Sequence, residues 1–335
     1  MKRYLSILIC FLLSVSINSV YPQTDITGQE KRYEFTHSKM GSLFRVITYS
    51  NDEEIAVEAA LEAFNRIDVL NQVFSDYIPD SECMQLSRKS GSGEYEQVSD
   101  LMFQILKQSR AWSERTSGAF DVTIGSLSQL WRRAYRKEKI PDQIEIEKAL
   151  AAVGYKNIWT VSGHQTVMLE KPGMYLDFGG IVKGFAVDEV YGIFANHGLK
   201  CTLVDGGGDI YAGNPPPGRD GWKVMIRNQD NNERYIIIQN SSIATSGDLY
   251  RFIEIDGKRY SHIIDPRTGY GITIPRTVTV IAENATSADI MASALSVTGP
   301  EGFTMMEGLE MKAIIIQEVE GKLQKWERGK VELLE

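Results

Sequence analysis

The sequence predicts an α+β fold, a largely antiparallel sheet flanked by helices, and three observations carry that expectation. Between residues 53 and 154, apolar residues recur at three- and four-residue spacing in four stretches, the period of amphipathic helices. From residue 156 the texture changes to alternating or β-branched runs parted by glycines and Asn/Asp turns, the pattern of short antiparallel strands. Only two helical stretches interrupt those runs. No repeat, long linker or low-complexity tract divides the chain, so residues 31–335 read as a single unit, and with 43% hydrophobic residues the chain is long enough for a large core.

Each element follows from its pattern. In "KRYEFTHSKMGSLFRVITY" the residues Leu43, Phe44, Val46, Ile47 and Tyr49 predict a strand entering the core. "DEEIAVEAALEAFNRIDVLNQVFS" predicts an amphipathic helix, and "DYIPDSECMQLSRKSGSG" a turn-rich connection. A second helix begins near Asp100 and stops at Ser117-Gly118; "SLSQLWRRAY" and "DQIEIEKALAAVG" give two more, the last ending at Gly154. Strands then follow in "NIWTVSG", "TVMLEK", "MYLDF", "TLVDGGGDIYAG", "GWKVMIR", "RYIIIQNSSIATS", "YRFIEIDGKRYSHIID" and "TVTVIAE". The two interrupting helices are "GIVKGFAVDEVYGIFANHG" and "TSADIMASALSV".

The net charge of −8 and the absence of a basic run longer than "RRAYRKEK" at 132–139 argue against nucleic acid as a partner. That run reads as one solvated helix face. At the N-terminus, Lys2 and Arg3 precede an apolar run from Tyr4 to Val15 and then "SINSVYPQTD". A charged start and an apolar stretch too short to span a bilayer predict a signal peptide over residues 1–22 and an exported protein, periplasmic or at the outer face of the cytoplasmic membrane. Bulky Ile9 before Cys10 argues against a lipid anchor. The remaining Cys83 and Cys201 read as small buried hydrophobes, with one disulfide open to them in an oxidising compartment.

Four constellations carry possible chemistry, each beside a plainer reading. In "YLDFGGIVKGFAVDEV", Asp177 and Gly179-Gly180 lead into a helix whose N-terminus, with Lys183, forms an anion site; it equally fits an ordinary strand-to-helix turn. "DGGGD" at 205–209 fits a hairpin turn and does not open a helix, so it is no dinucleotide fingerprint. Asp289 and Ser293, four apart on one helix face, suit a hard cation such as Mg²⁺; alternatively Thr286 caps that helix and Asp289 serves its dipole from the third position. His262, in "YSHIIDPRTG", is a proton acceptor of suitable pKa or a structural strand-end residue, and Asp265 either orients it or caps the turn.

Taken in order, "KMGSLFRV", "FSDYIPDSECMQLS", "SGAFDVTIGSLSQLW", "LDFGGIVKGFAVDEV", "VDGGGDIYAG", "IATSGDLYRF", "SHIIDPRTG" and "ATSADIMASAL" resemble the ApbE family of flavin transferases, which move FMN from FAD onto a threonine of a target protein. The resemblance implies an ApbE-like, T-fold-related architecture. It implies that Met40, Tyr77, Ala119, Phe120, Asp121, Asp177, Lys183 and the backbone at Ile263 line the FAD site. It further implies that Asp289, the side chain of Ser293 and the carbonyl of Gly180 hold Mg²⁺, and that His262 is the catalytic base. The family usually has threonine where this chain has Ser293 and Ser42; serine keeps the hydroxyl with less rotamer restriction. The implied acceptors are threonines in D-G-x-T-G-[AS]-T-like motifs of Na⁺-translocating quinone reductase or Rnf-type subunits, or of secreted flavoproteins. Mg²⁺-dependent hydrolysis of FAD to FMN and AMP, or flavin binding without turnover, are the alternatives.

Overall fold

The computed structural model describes residues 30–226, 234–247, 252–255 and 257–334. The expected signal peptide and residues 248–251 of the expected "SGDLYRF" connection lie outside them. The first expected strand is a hairpin, β1 (Lys31–Lys39) and β2 (Ser42–Ser50), closed by Met40 and Gly41 at φ 53° and 67°. Two consecutive positive φ values give the turn whose twist matches paired strands. Helix α1 (Glu53–Phe74) starts where the Asp52 carboxylate accepts the N–H groups of Glu54 and Ile55, and buries Ala56, Ala63, Ile67 and Leu70. The connection expected to be turns contains a short helix, α2 (Glu82–Arg88), capped by Ser81; seven residues are too few to display a period.

After β3 (Glu96–Gln97) come α3 (Asp100–Arg115), α4 (Gly125–Lys137) and α5 (Gln143–Ala151). Strands β4 (Ile158–Val161) and β5 (Thr166–Leu169) join β3 in a small sheet. The segment "MYLDF" is not a regular strand. It runs extended beside residues 122–125, with Asp177 N–H donating to Val122 O and Gly125 N–H to Tyr175 O. Then follow α6 (Val182–Asn196), β6 (Thr202–Asp205), β7 (Asp209–Ala212), β8 (Trp222–Ile226), β9 (Arg234–Ile238), β10 (Ser241–Gly247), β11 (Phe252–Ile255), β12 (Lys258–Ser261), β13 (Arg276–Ala282) and α7 (Ala285–Thr298). A final hairpin, β14 (Lys312–Val319) and β15 (Lys322–Arg328), lies beyond the elements expected from the sequence.

The main sheet has the order β1-β2-β6-β7-β10-β13-β14-β15, antiparallel at every step. Period-two alternation divides its side chains between two faces. Phe44, Val46 and Val204 meet α1 and α6, and Ala313 and Ile315 join the core beneath α7. Their neighbours Ile47, Leu203, Ile314 and Ile316 meet the β8–β9 hairpin on the other face. Helix α6 contacts both α1 and α7. Cys83 and Cys201 are free thiols, one buried and one half-buried, so the disulfide left open by the sequence is not formed.

Candidate active site

The site is built where α6 meets α7. A Cβ added to Gly184 would lie 2.3 Å from the Ala285 carbonyl oxygen and 2.9 Å from Asp289 Cβ, so glycine alone permits this approach. Gly184 N–H donates to Asp289 Oδ2 at 3.1 Å. In return, Asp188 of α6 accepts the N–H groups of Ala285 and Thr286 at 2.7 and 2.8 Å and the Thr286 hydroxyl at 2.5 Å. Each helix thus lends a carboxylate to the other's N-terminus, answering its orphan donors and its dipole. This overturns the plainer reading of α7: Asn284 is the cap, accepting from Ser287 N–H at 2.9 Å, Thr286 lies inside the first turn, and Asp289 is the fifth helical residue. It also alters the anion reading of α6, because one of its free N–H groups is committed to Asp289.

Asp289 is 4% exposed. Burial, then the nearby Asp209 carboxylate, push its carboxyl up to about 7 against the opposing pull of Lys183. Lys183 forms an ion pair with Asp209, which is itself buried at the start of β7. The "DGGGD" turn is the expected hairpin, with Asp205 Oδ1 accepting from Gly207 and Gly208 N–H, both at 2.9 Å. Gly207 lies so close to Ser42 that an added Cβ would stand 1.8 Å from its Oγ, and Ser42 donates to Gly206 O at 2.9 Å. The Met40 turn therefore rests on the turn that carries Asp209.

Ser293 lies one helical turn beyond Asp289. Ser296 and Thr298 donate back to the carbonyls of Ala292 and Ala294, but Ser293 Oγ faces Gly180, 2.9 Å from where its Cβ would be. Phe120 Cε2 packs 3.5 Å from the same point, which brings the 119–121 segment to the site. Asp177 accepts Gly179 N–H at 2.8 Å on Oδ1 and Arg132 Nη2 at 3.1 Å on Oδ2. Arg132 also pairs with Asp76 and stacks over Tyr77, 4.2 Å from the ring centroid.

Residues 40–315 match the family model described as the ApbE family. The chain belongs to the ApbE family. It is 30% identical over 318 residues to an FAD:protein FMN transferase of Treponema pallidum, with 89% of this chain and 85% of that relative covered. It is 31% identical over 306 residues to an FAD:protein FMN transferase of Vibrio cholerae, covering 87% and 90%. Among solved structures, the flavin transferase ApbE from Vibrio cholerae superposes with a TM-score of 0.79 at 26% identity, covering 89% of this chain and 97% of that one. The α+β expectation holds for this ApbE-family chain.

The remaining expected residues divide. His262 is exposed just past β12, on a hairpin packed against α4. The Ile263 N–H donates to Ser261 Oγ and its carbonyl accepts from Ile272 N–H, so both backbone groups already bond within the protein. Asp265 accepts from the Arg267 backbone and guanidinium, so it holds the "DPRTG" turn. Asp121 is buried, with both carboxylate oxygens bonded to Thr123 and Tyr155 N–H; it braces a loop whose Ala119 and Phe120 are themselves buried in the core. Burial raises its carboxyl.

Asp209, Asp188, Asp76 and Arg132 were not legible as site residues. Arg132 corrects the reading of "RRAYRKEK": Arg133, Arg136 and Lys137 are exposed, whereas Arg132 is half-buried between two carboxylates. Among the described residues no group of three or more His, Cys, Asp or Glu side chains forms a metal cluster. The donors present are a buried carboxylate, a hydroxyl and the peptide at Gly180. Such a set suits Mg²⁺, which binds through one or two carboxylates with phosphate and water completing its shell.

Proposed function

We propose that this chain is an FAD:protein FMN transferase, joining FMN from FAD to a threonine of an acceptor protein and releasing AMP. The observation that carries the reading is the meeting of Asp289, Lys183, Ser293 and Gly180 at the α6–α7 joint beneath the Met40 turn. Asp289, Ser293 and the Gly180 carbonyl would hold Mg²⁺, which when bound supplies Lewis-acid stabilisation of the diphosphate charge.

The chain's own residues do the rest. Lys183, held by Asp209, sets a positive charge beside the diphosphate as its charge shifts toward the AMP side. The Met40 turn, Tyr77 and the 119–121 segment wall the nucleotide. His262 takes the proton from the threonine hydroxyl, whose oxygen bonds to the FMN phosphorus as the bond to AMP breaks. Its exposed position just past β12 suits a macromolecular acceptor. Acceptor motifs of the D-G-x-T-G-[AS]-T kind, on quinone reductase or Rnf-type subunits or on secreted flavoproteins, fit this reading. So does export, supported by Lys2, Arg3 and the apolar run that follows.

The test is incubation with FAD, Mg²⁺ and an acceptor domain carrying the threonine motif. Mass spectrometry is expected to show an FMN adduct on the acceptor; AMP release without an adduct would establish the hydrolase instead. His262→Ala is expected to retain FAD binding and lose transfer, and unchanged transfer removes the base role from His262.

A further inference from the structure

We propose that Arg132 is a positioning residue for the flavin nucleotide, holding the Tyr77 ring and the Asp177 turn in one fixed relation; this rests on FAD being the substrate. One guanidinium engages three groups from two distant parts of the chain. It pairs with Asp76 after α1, with Asp177 ahead of α6, and covers one face of Tyr77. A planar guanidinium can serve two carboxylates with its fork while its flat face lies on a ring, which an ammonium cannot do.

The consequences run to both ends of the site. Tyr77 is 74% exposed although Arg132 lies against it, so it presents open ring surface on a braced support. Asp177 shares its carboxylate between Arg132 and Gly179 N–H, one residue before Gly180, which packs against Phe120 and Ser293. A brace of this kind removes ordering that a ligand would otherwise have to impose on binding.

The cluster is also a poor device for stability alone. Two part-buried carboxylates share one cation, the Asp76 side chain keeping 8% of its exposure and the Asp177 side chain 14%. Burial and the Asp177 charge push Asp76 up to about 6 even with Arg132 beside it, so the fold carries a penalty that an apolar trio would avoid.

The test measures FAD dissociation constants by flavin fluorescence, with steady-state kinetics of AMP formation, on the wild type, Arg132→Lys, Tyr77→Ala and the double variant. Arg132→Lys keeps the charge and loses the fork. It is expected to weaken FAD binding about tenfold, the scale of a lost cation–π contact and one charge-assisted bond, and to raise KM similarly with kcat nearly unchanged. The double variant is expected to lose clearly less than the product of the single effects, because Arg132 acts through Tyr77. Wild-type affinity in Arg132→Lys overturns the proposal, whatever its thermal stability, and so do effects that multiply independently. A wild-type protein that ignores FAD overturns the functional reading as well, which distinguishes that failure from failure of the Arg132 assignment alone.

Discussion

At Gly184 a single absent atom decides how closely two helices approach. Alanine there would drive a methyl into the Ala285 carbonyl, a backbone atom that cannot swing aside. Gly184→Ala is expected to destabilise the fold by about 1–3 kcal/mol, measured by urea denaturation, and to abolish Mg²⁺-dependent transfer as Asp289 moves. Asp76 gives a pH signature at the same scale. Its carboxyl is raised to about 6, above its unfolded value near 4, so the folded state binds more protons between those limits. Its stabilising contribution is complete below about pH 4 and is lost as pH rises through 6. Thermal denaturation of wild type and Asp76→Asn from pH 4 to 6.5 is expected to show the wild type losing ground to the variant with rising pH. The carboxyls of Asp121, Asp188 and Asp289, also raised, are common to both proteins.

Helix α4 is the element that ties the two ends of the site together. From one side Arg132 reaches Asp76, Asp177 and Tyr77; from the other, fully buried Trp131 donates from Nε1 to Gly269 O at 2.8 Å and packs against Tyr260 and Tyr270. That second side seats the β11–β12 hairpin and the turn that carries His262. Trp131→Phe leaves the Gly269 carbonyl without its donor and is expected to cost about 1–3 kcal/mol. Transfer is expected to fall while FAD affinity, read by flavin fluorescence, is retained. The helix was legible as a helix in "SLSQLWRRAY", but its division of labour was not, since adjacent Trp131 and Arg132 carry no sign of what faces them. The seven-residue α2 escaped because it is too short to show a period, whereas "MYLDF" reads as a strand from its apolar run and pairs only through a single bridge, Tyr175 with Ile124.

For the whole molecule, the proposed FAD and Mg²⁺ sites would draw on elements from both halves of the chain, so both ligands are expected to stabilise all of it. At a ligand concentration of 100 Kd the gain is about 2.7 kcal/mol, visible as a raised denaturation midpoint that falls back when a chelator removes the metal. The sequence by itself determined the class of fold, the existence of the strand that carries Phe44, Val46 and Ile47, and the positions of Lys183, Asp289, Ser293 and His262 as groups with chemistry to offer. Those features are local, because periodicity reports whether a residue is buried and residue type reports what it can donate or accept. Only the tertiary structure decided that Asp188 and Asp289 serve each other's helices across about a hundred residues, that Asp209 holds Lys183, and that one arginine in a charged run is held between Asp76 and Asp177. These are through-space pairings fixed by sheet order and helix packing, and a buried charge does not name its partner along the chain.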